Sequence, residues 1–211
     1  MSDSCRVAIF ARTPEPGRVK TRLIPALGAR GACQLHQRML TRIAEQARTA
    51  FPDATVELWA TPDPGHPFLL ELARRLDLKL RRQAPRHGRT DHLGERMAAA
   101  LASGPYPAMV IGSDAPQLDA DQLARLARDL KRPDCDTTLV PALDGGYVAL
   151  ATSGPVALFE GIAWGTDAVL KQTLERGRQQ GIRIRLAPAQ PDIDRPEDLH
   201  HCPADLLRTS D

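Results

Sequence analysis

The sequence has almost no net charge. Its 28 Lys and Arg residues face 26 Asp and Glu, a formal balance of +2 over 211 residues. No global field therefore points to nucleic acid or an anionic membrane as a partner. No apolar run approaches transmembrane length. The first residues lack a charged head followed by an apolar core, so no signal peptide is expected. Cysteine is sparse as well. Cys5, Cys33, Cys135 and Cys202 form no C-x-x-C pair and share no zinc spacing with histidine. No internal repeat or low-complexity linker divides the chain. These absences predict a reduced, cytosolic protein whose residues 1–211 form one domain. The hydrophobic fraction of 42% and charged fraction of 26% are ordinary for a chain that buries a sizeable core.

What is present is alternation. Residues 5–11 (CRVAIFA), 55–60, 78–83, 108–112, 137–142, 147–151 and 182–187 read as strands, with 78–83 at or near a sheet edge. Helical periodicity fills the gaps at 29–47, 66–76, 91–102, 119–130 and 167–180. Asp119 and Gln122 have the spacing of a capping box at the fourth helix. This order predicts an α/β three-layer sandwich with a mostly parallel central sheet. In such sheets ligands bind beyond the carboxyl ends of the strands, so the residues just after each strand are the ones to inspect.

After the first strand comes RTPEPGRVKTRL, residues 12–23. Pro14, Pro16 and Gly17 stiffen it and break regular structure, and Pro25 disfavours helix at Ile24. Arg18, Lys20 and Arg22 are thus expected in a loop or single turn. There they suit a di- or triphosphate, or form a solvated basic turn. A Walker A loop is absent. After 108–112 comes Ser113-Asp114. A carboxylate there can hold Mg²⁺ or Mn²⁺, which prefer oxygen ligands and bridge phosphate oxygens, or it can cap a turn. Asp144, Gly145 and Gly146 carry the signal of a tight hairpin, and glycines also permit close approach of a ligand. Trp164 is a packing anchor or a stacking surface, and Thr166 a candidate N-cap. In PDIDRPEDL, Asp192 and Asp194 point the same way with Ile193 opposite, and Pro196 can open a short helix. His87 and His92 lack a zincin arrangement, while Asp91 can cap a helix whose first N–H groups could meet a nucleotide.

Taken together, FARTPEPGRVKTRL, HLGERM, GSDAPQL, LDGGYVAL, WGTDAVLKQT and DIDRPEDL occur in the order seen in small bacterial GT-A-like transferases. The chain resembles those glycosyltransferases linked to arsenosugar biosynthesis and to radical-SAM or selenodomain neighbours, from about residue 6 to about residue 200. That resemblance implies a fold similar to nucleotide-diphospho-sugar transferases. It also implies that Arg12, Gly17, Arg18, Lys20 and Arg22 meet the nucleotide phosphates. Asp114 would be the metal carboxylate, with Asp194, and with it Asp192, as the second acidic position for Mg²⁺ or Mn²⁺. Ser113, Gly145, Gly146, Tyr147, Trp164 and Thr166 would belong to the substrate pocket. Two departures stand out: Ser113 precedes Asp114, so there is no D-x-D, and Arg12 stands where Lys is common.

The leading expectation is a metal-dependent glycosyltransferase that uses a nucleotide-activated sugar and a small-molecule acceptor. Asp144 and Asp194 are its candidate bases. The alternatives are a nucleotidyltransferase that joins an NTP to a sugar phosphate and releases pyrophosphate, and a degenerate nucleotide-binding module.

Overall fold

The computed structural model describes residues 5–84, 93–102 and 104–208. Its strands are β1 (Arg6–Arg12), β2 (Thr55–Thr61), β3 (Lys79–Arg82), β4 (Ala108–Gly112), β5 (Thr137–Pro141), β6 (Tyr147–Thr152) and β7 (Ile184–Leu186). The helices are α1 (Ile24–Ala50), α2 (Pro67–Leu76), α3 (Leu93–Ala102), α4 (Ala120–Asp129), α5 (Val169–Gln179) and α6 (Ala204–Leu207). Two 3-10 turns, Thr21–Leu23 and Pro196–His201, precede α1 and α6.

The strands form one sheet in the order β3-β2-β1-β4-β6-β5-β7. Only β6 is antiparallel to its neighbours, β4 and β5. β3 is an edge strand with a largely exposed burial pattern.

Alternation along β1 shows how the layers arise. Val7, Ile9 and Ala11 join one apolar cluster with Leu40 and Ile43 of α1, Leu69 of α2 and Leu123 of α4. Ala8 and Phe10 join the other cluster, with Met97 of α3 and, at its margin, Leu170 of α5. Successive side chains of a strand point to opposite faces, so a strand covered on both sides is apolar throughout. The result is the three-layer sandwich expected from the alternation.

A third cluster joins Leu23, Leu35 and Met39 to Ile193, Cys202 and Leu206. It binds the segment after β7 to the start of α1. The burial of Ile193 leaves its neighbours Asp192 and Asp194 on the opposite side.

One expectation needs correction. Ile24 adopts helical angles (φ −56°, ψ −40°) despite the proline that follows. The 3-10 turn before it and Pro25 in the first helical turn carry the chain directly into α1. The helix is then broken at Gly28 (φ 69°), one residue before the point where apolar periodicity begins. Helix α3 is described from Leu93 onward; the expected start of that helix and its cap Asp91 lie outside the described residues, as do His87 and His92.

Strand order reverses at β1 and β4. From β1 the chain builds outward through β2 and β3, whereas β4 leads to the opposite side. The crevice at their carboxyl ends is the topological switch point at which open α/β sheets place ligands.

A candidate active site at the switch point

A cleft of about 790 Å³ opens there. Its floor is the end of β1 and the Gly112–Asp114 segment after β4. One side is formed by Arg18 to Arg22, and another by Thr61, Pro62, Gln83 and Arg96. Asp144, Gly146, Tyr147, Asp192 and Asp194 close the far side.

The loop after β1 is shaped by local rules. Pro16 and Gly17 (φ 80°) occupy the central positions of a turn closed by Arg18 N–H donating to Glu15 O at 3.0 Å. Pro then Gly at these positions is the type II preference. Thr13 N–H donates to Thr61 O at 2.8 Å, and Cys33 Sγ–H to Pro14 O at 3.1 Å. Val19 and Leu23 are buried on either side of Lys20. Lys20 itself is left-handed (φ 47°, ψ 42°), a conformation a side-chain-bearing residue holds only where its surroundings impose it.

That conformation turns the ammonium inward. Lys20 Nζ lies 3.0 Å from Asp114 Oδ1 and 3.7 Å from Asp194 Oδ1. It also donates to the carbonyl of Ile193 at 2.6 Å. The Lys20 side chain is 4% exposed, whereas that of Asp114 is 46% exposed. Arg22 meets the other oxygen of Asp194 at 2.6 Å. Ser113 Oγ–H donates to Asp114 Oδ1 at 3.1 Å. Burial pushes the Asp114 carboxyl up, but the Lys20 ammonium and the hydrogen bonds from Lys20 and Ser113 outweigh it, and the net shift is downward. Asp114 is therefore a carboxylate at neutral pH.

The remaining cations are more available. Arg18 is 76% exposed and pairs with Glu15 at 3.2 Å, and Arg22 is 62% exposed. Exposed pairs of this kind are worth little, so either guanidinium can be redirected to an incoming anion at small cost. Arg12 lines the floor and ends β1.

His36 was not singled out from the sequence. It is buried beneath the cleft floor, and its Nε2–H donates to Arg12 O at 2.9 Å. Burial lowers its pKa, so the ring is neutral. The available signal was a polar residue inside the apolar stripe of α1, four residues before Leu40 and seven before Ile43. Gln83 was also missed, although it directly follows β3. Its Nε2 donates to Ala11 O and Trp59 O, and its Oε1 accepts from Arg96.

On the far side, β5 and β6 form a hairpin closed by Ala142 N–H donating to Gly146 O at 3.0 Å. Asp144 Oδ1 accepts from Gly146 N–H, leaving the carboxylate exposed at the cleft rim. Burial and the nearby Asp144 raise the Asp192 carboxyl to about 6. Tyr147 lines the cleft, and burial raises its hydroxyl pKa.

Four expected site residues do not line the cleft. Gly17 shapes the turn instead of facing the cavity. Gly145 (φ 92°) is packed against Asp167, and its carbonyl accepts from Leu170 N–H at 2.9 Å. Its lack of a side chain therefore serves contact with the approach to α5. Trp164 packs edge-on against Tyr147 at 6.2 Å and tilted against Phe159 at 6.3 Å, next to Gly94. Thr166 accepts from Ala168 N–H and donates to Ala163 O, a turn ahead of α5, whose N-cap position is Ala168. Trp164 and Thr166 thus support the wall from behind.

No three His, Cys, Asp or Glu side chains converge as a metal cluster among the described residues. Asp114 and Asp194 are brought together, but with the Lys20 ammonium between them.

Strand order and cleft together define a GT-A-like, nucleotide-diphospho-sugar-transferase-type fold. The chain belongs to the family described as "Uncharacterized protein conserved in bacteria (DUF2064)", whose profile matches residues 43–166. A protein from Desulfovibrio desulfuricans G20, provisionally assigned as a nucleotide-diphospho-sugar transferase, superposes with a TM-score of 0.82. It is 26% identical, and the match covers 100% of this chain and 92% of that one. A nucleotidyl transferase from Methanothermobacter thermautotrophicus matches at TM-score 0.63 and 15% identity, over 99% and 100% of the two chains. Glucosyl-3-phosphoglycerate synthase from Mycobacterium tuberculosis, in complex with Mn²⁺, UDP and glucosyl-3-phosphoglycerate, matches at TM-score 0.57 and 10% identity. That match covers 94% of this chain and 75% of the synthase. The last two likenesses concern the fold alone. No protein of curated function matches in sequence.

Proposed function

We propose that this protein is a metal-dependent glycosyltransferase that takes a sugar from a nucleoside-diphosphate donor to a small-molecule acceptor. The observation that carries the reading is the placement of Lys20 against Asp114 at the switch point, with Arg18 and Arg22 exposed along the same loop. Cations aimed where a diphosphate departs stabilise the charge that develops there, and their effect is larger in a cleft than in water. The Desulfovibrio protein, similar over the whole of this chain, supports the same class.

In this reading the acceptor X–H attacks the anomeric carbon. The bond from that carbon to the β-phosphate oxygen breaks, and its electron pair leaves on the diphosphate. The acceptor proton passes to a carboxylate. Asp194 is committed to Lys20 and Arg22. Asp144 stands exposed at the rim, where among the described residues its carboxylate accepts from the backbone N–H of Gly146, which makes it the better base of the two. Arg18 and Arg22 turn from their carboxylate partners to the phosphates and hold the donor in place.

The carboxylates fit a hard cation. The donors are oxygens, and Asp114 keeps one oxygen outside its contacts with Lys20 and Ser113. Asp114 and Asp194 would hold Mg²⁺ or Mn²⁺, which supplies charge neutralisation of the diphosphate.

A second reading is favoured by the acidic pair. Two carboxylates flanking one cation suit nucleotidyl transfer, in which a phosphate oxygen attacks the α-phosphorus of an NTP and pyrophosphate leaves. The two reactions share a binding site and differ in the product.

The test is thermal stabilisation by NTPs, NDPs and nucleotide sugars, each with and without Mg²⁺ or Mn²⁺. A metal-dependent shift that disappears in Asp114→Ala is expected. The best ligand then goes into turnover assays, where pyrophosphate release selects the second reading over the first. No shift with any nucleotide in a folded sample would remove both.

A further inference from the structure

We propose that Lys20 is a built-in cation competing with the divalent metal for Asp114 and Asp194, and that it yields them only when a phosphate takes up its ammonium. Metal and nucleotide would then bind cooperatively, each weakly without the other. The inference rests on the reading of the cleft as a metal-and-nucleotide site.

An ammonium has three N–H donors and no acceptor. Those of Lys20 face three oxygens, on Asp114, Asp194 and the Ile193 carbonyl. The space between the two carboxylates is therefore filled by a positive charge belonging to the chain. With Arg22 on Asp194, two cations balance two anions. A free divalent ion gains little from a balanced site and is repelled by an ammonium a few ångströms away.

A diphosphate changes this balance. It brings several negative charges to the same cleft and offers Lys20 new acceptors. The required motion is small. Buried Val19 and Leu23 anchor the backbone on either side, so the ammonium travels by rotation of its own flexible stem. Once it has left, both carboxylates and the phosphate oxygens are free to share a metal. Linkage then requires the reciprocal effect: the metal raises nucleotide affinity by the factor by which nucleotide raises metal affinity.

The competing explanation is a strut, with Lys20 only tying the 192–194 segment to β4. The two explanations part in the metal alone. Mn²⁺ binding is measured by the EPR signal of the free ion for the parent, Lys20→Met and Lys20→Gln. Lys171→Met, at an exposed position on α5, controls for loss of a charge elsewhere.

Without nucleotide, Lys20→Met is expected to bind Mn²⁺ about tenfold more tightly than the parent. Lys171→Met should match the parent, and adding Asp194→Asn to Lys20→Met should cancel the gain. UDP, CDP, ADP and GDP are then added in turn. The nucleotide that binds should tighten Mn²⁺ by a larger factor in the parent than in Lys20→Met, because in the variant only the added phosphate ligands remain to act. The proposal is overturned if folded Lys20→Met or Lys20→Gln binds Mn²⁺ no more tightly than the parent. It is also overturned if neither variant folds, since Lys20 is then a strut. Failure of the nucleotide reading is seen separately, as no thermal stabilisation of the parent by any nucleoside diphosphate.

Discussion

The backbone N–H of Ile193 donates to the carbonyl oxygen of Asp114 at 2.8 Å. This bond ties the segment after β7 to the end of β4. It brings Asp192 and Asp194 to the carboxylate that follows the fourth strand. The Ile193 side chain, fully buried among Leu23, Leu35 and Met39, holds the segment in place from the other side.

Ile193→Ala should therefore lose stability and site geometry together. Truncating a fully buried Ile costs roughly 2–5 kcal/mol, through lost transfer free energy and the cavity left behind. Urea unfolding measures the first effect. Nucleotide-induced thermal stabilisation, expected to weaken as well, measures the second. A variant with parental midpoint would show that the third apolar cluster does not anchor the tail.

Gly145→Ala tests the packing behind the hairpin. An added Cβ would fall on the backbone of Asp167, at a residue whose φ is 92°. Neither a backbone clash nor a positive φ is relieved by side-chain rotation. We expect a loss of about 1–3 kcal/mol, read as a lowered denaturation midpoint. Gly161→Ala is the comparison. Gly161 also has positive φ (74°) but open space around its Cβ, so it should lose less. Equal losses would remove the contact with Asp167 as the cause.

Asp192 makes the stability of the protein pH-dependent. Its carboxyl is raised to about 6 by burial and by Asp144, from an unfolded value near ~3.9. Between these values the folded state binds more protons than the unfolded state, so stability falls as pH rises from about 4 to about 6. Asp192→Asn keeps a neutral group in place at all pH values. It should melt higher than the parent at pH 7.5 and close to it at pH 4. An equal melting temperature at pH 7.5 would count against the shift. Asp144→Asn should move the Asp192 carboxyl midpoint downward in a carbon NMR titration.

Asp136 behaves in the opposite way. Arg183 grips it through Nε and a terminal nitrogen, at 2.8 and 2.6 Å, and through its backbone N–H. These hydrogen bonds hold the carboxyl down at about 2. Its contribution to stability is therefore present above about pH 4 and is lost as pH falls toward 2. The pair sits at the surface, so we expect under about 1 kcal/mol from it. Asp136→Asn should lower the melting temperature at pH 7, with a smaller difference at pH 3. A difference that grows on acidification would contradict the assignment.

Local physics made much of the fold legible in the sequence. The run of apolar residues in β1, the period of α4 and the Asp119–Gln122 capping box all depend on neighbours within a few residues. So does the Pro16-Gly17 turn. The rule that ligands sit after parallel strands then drew attention to Arg18, Lys20, Arg22 and Asp114, and the single-residue spacing of Asp192 and Asp194 placed both on one side. The tertiary structure decided what each residue meets. Strand order put β1 beside β4, and burial of Ile193 brought the last segment against them, so that Lys20 stands between Asp114 and Asp194. The same packing turned Gly145 toward Asp167, drew Trp164 behind the wall and seated neutral His36 under the floor. Periodicity records which face of an element is apolar. It carries no record of which distant face will cover it, and that partner determines the charges at the site.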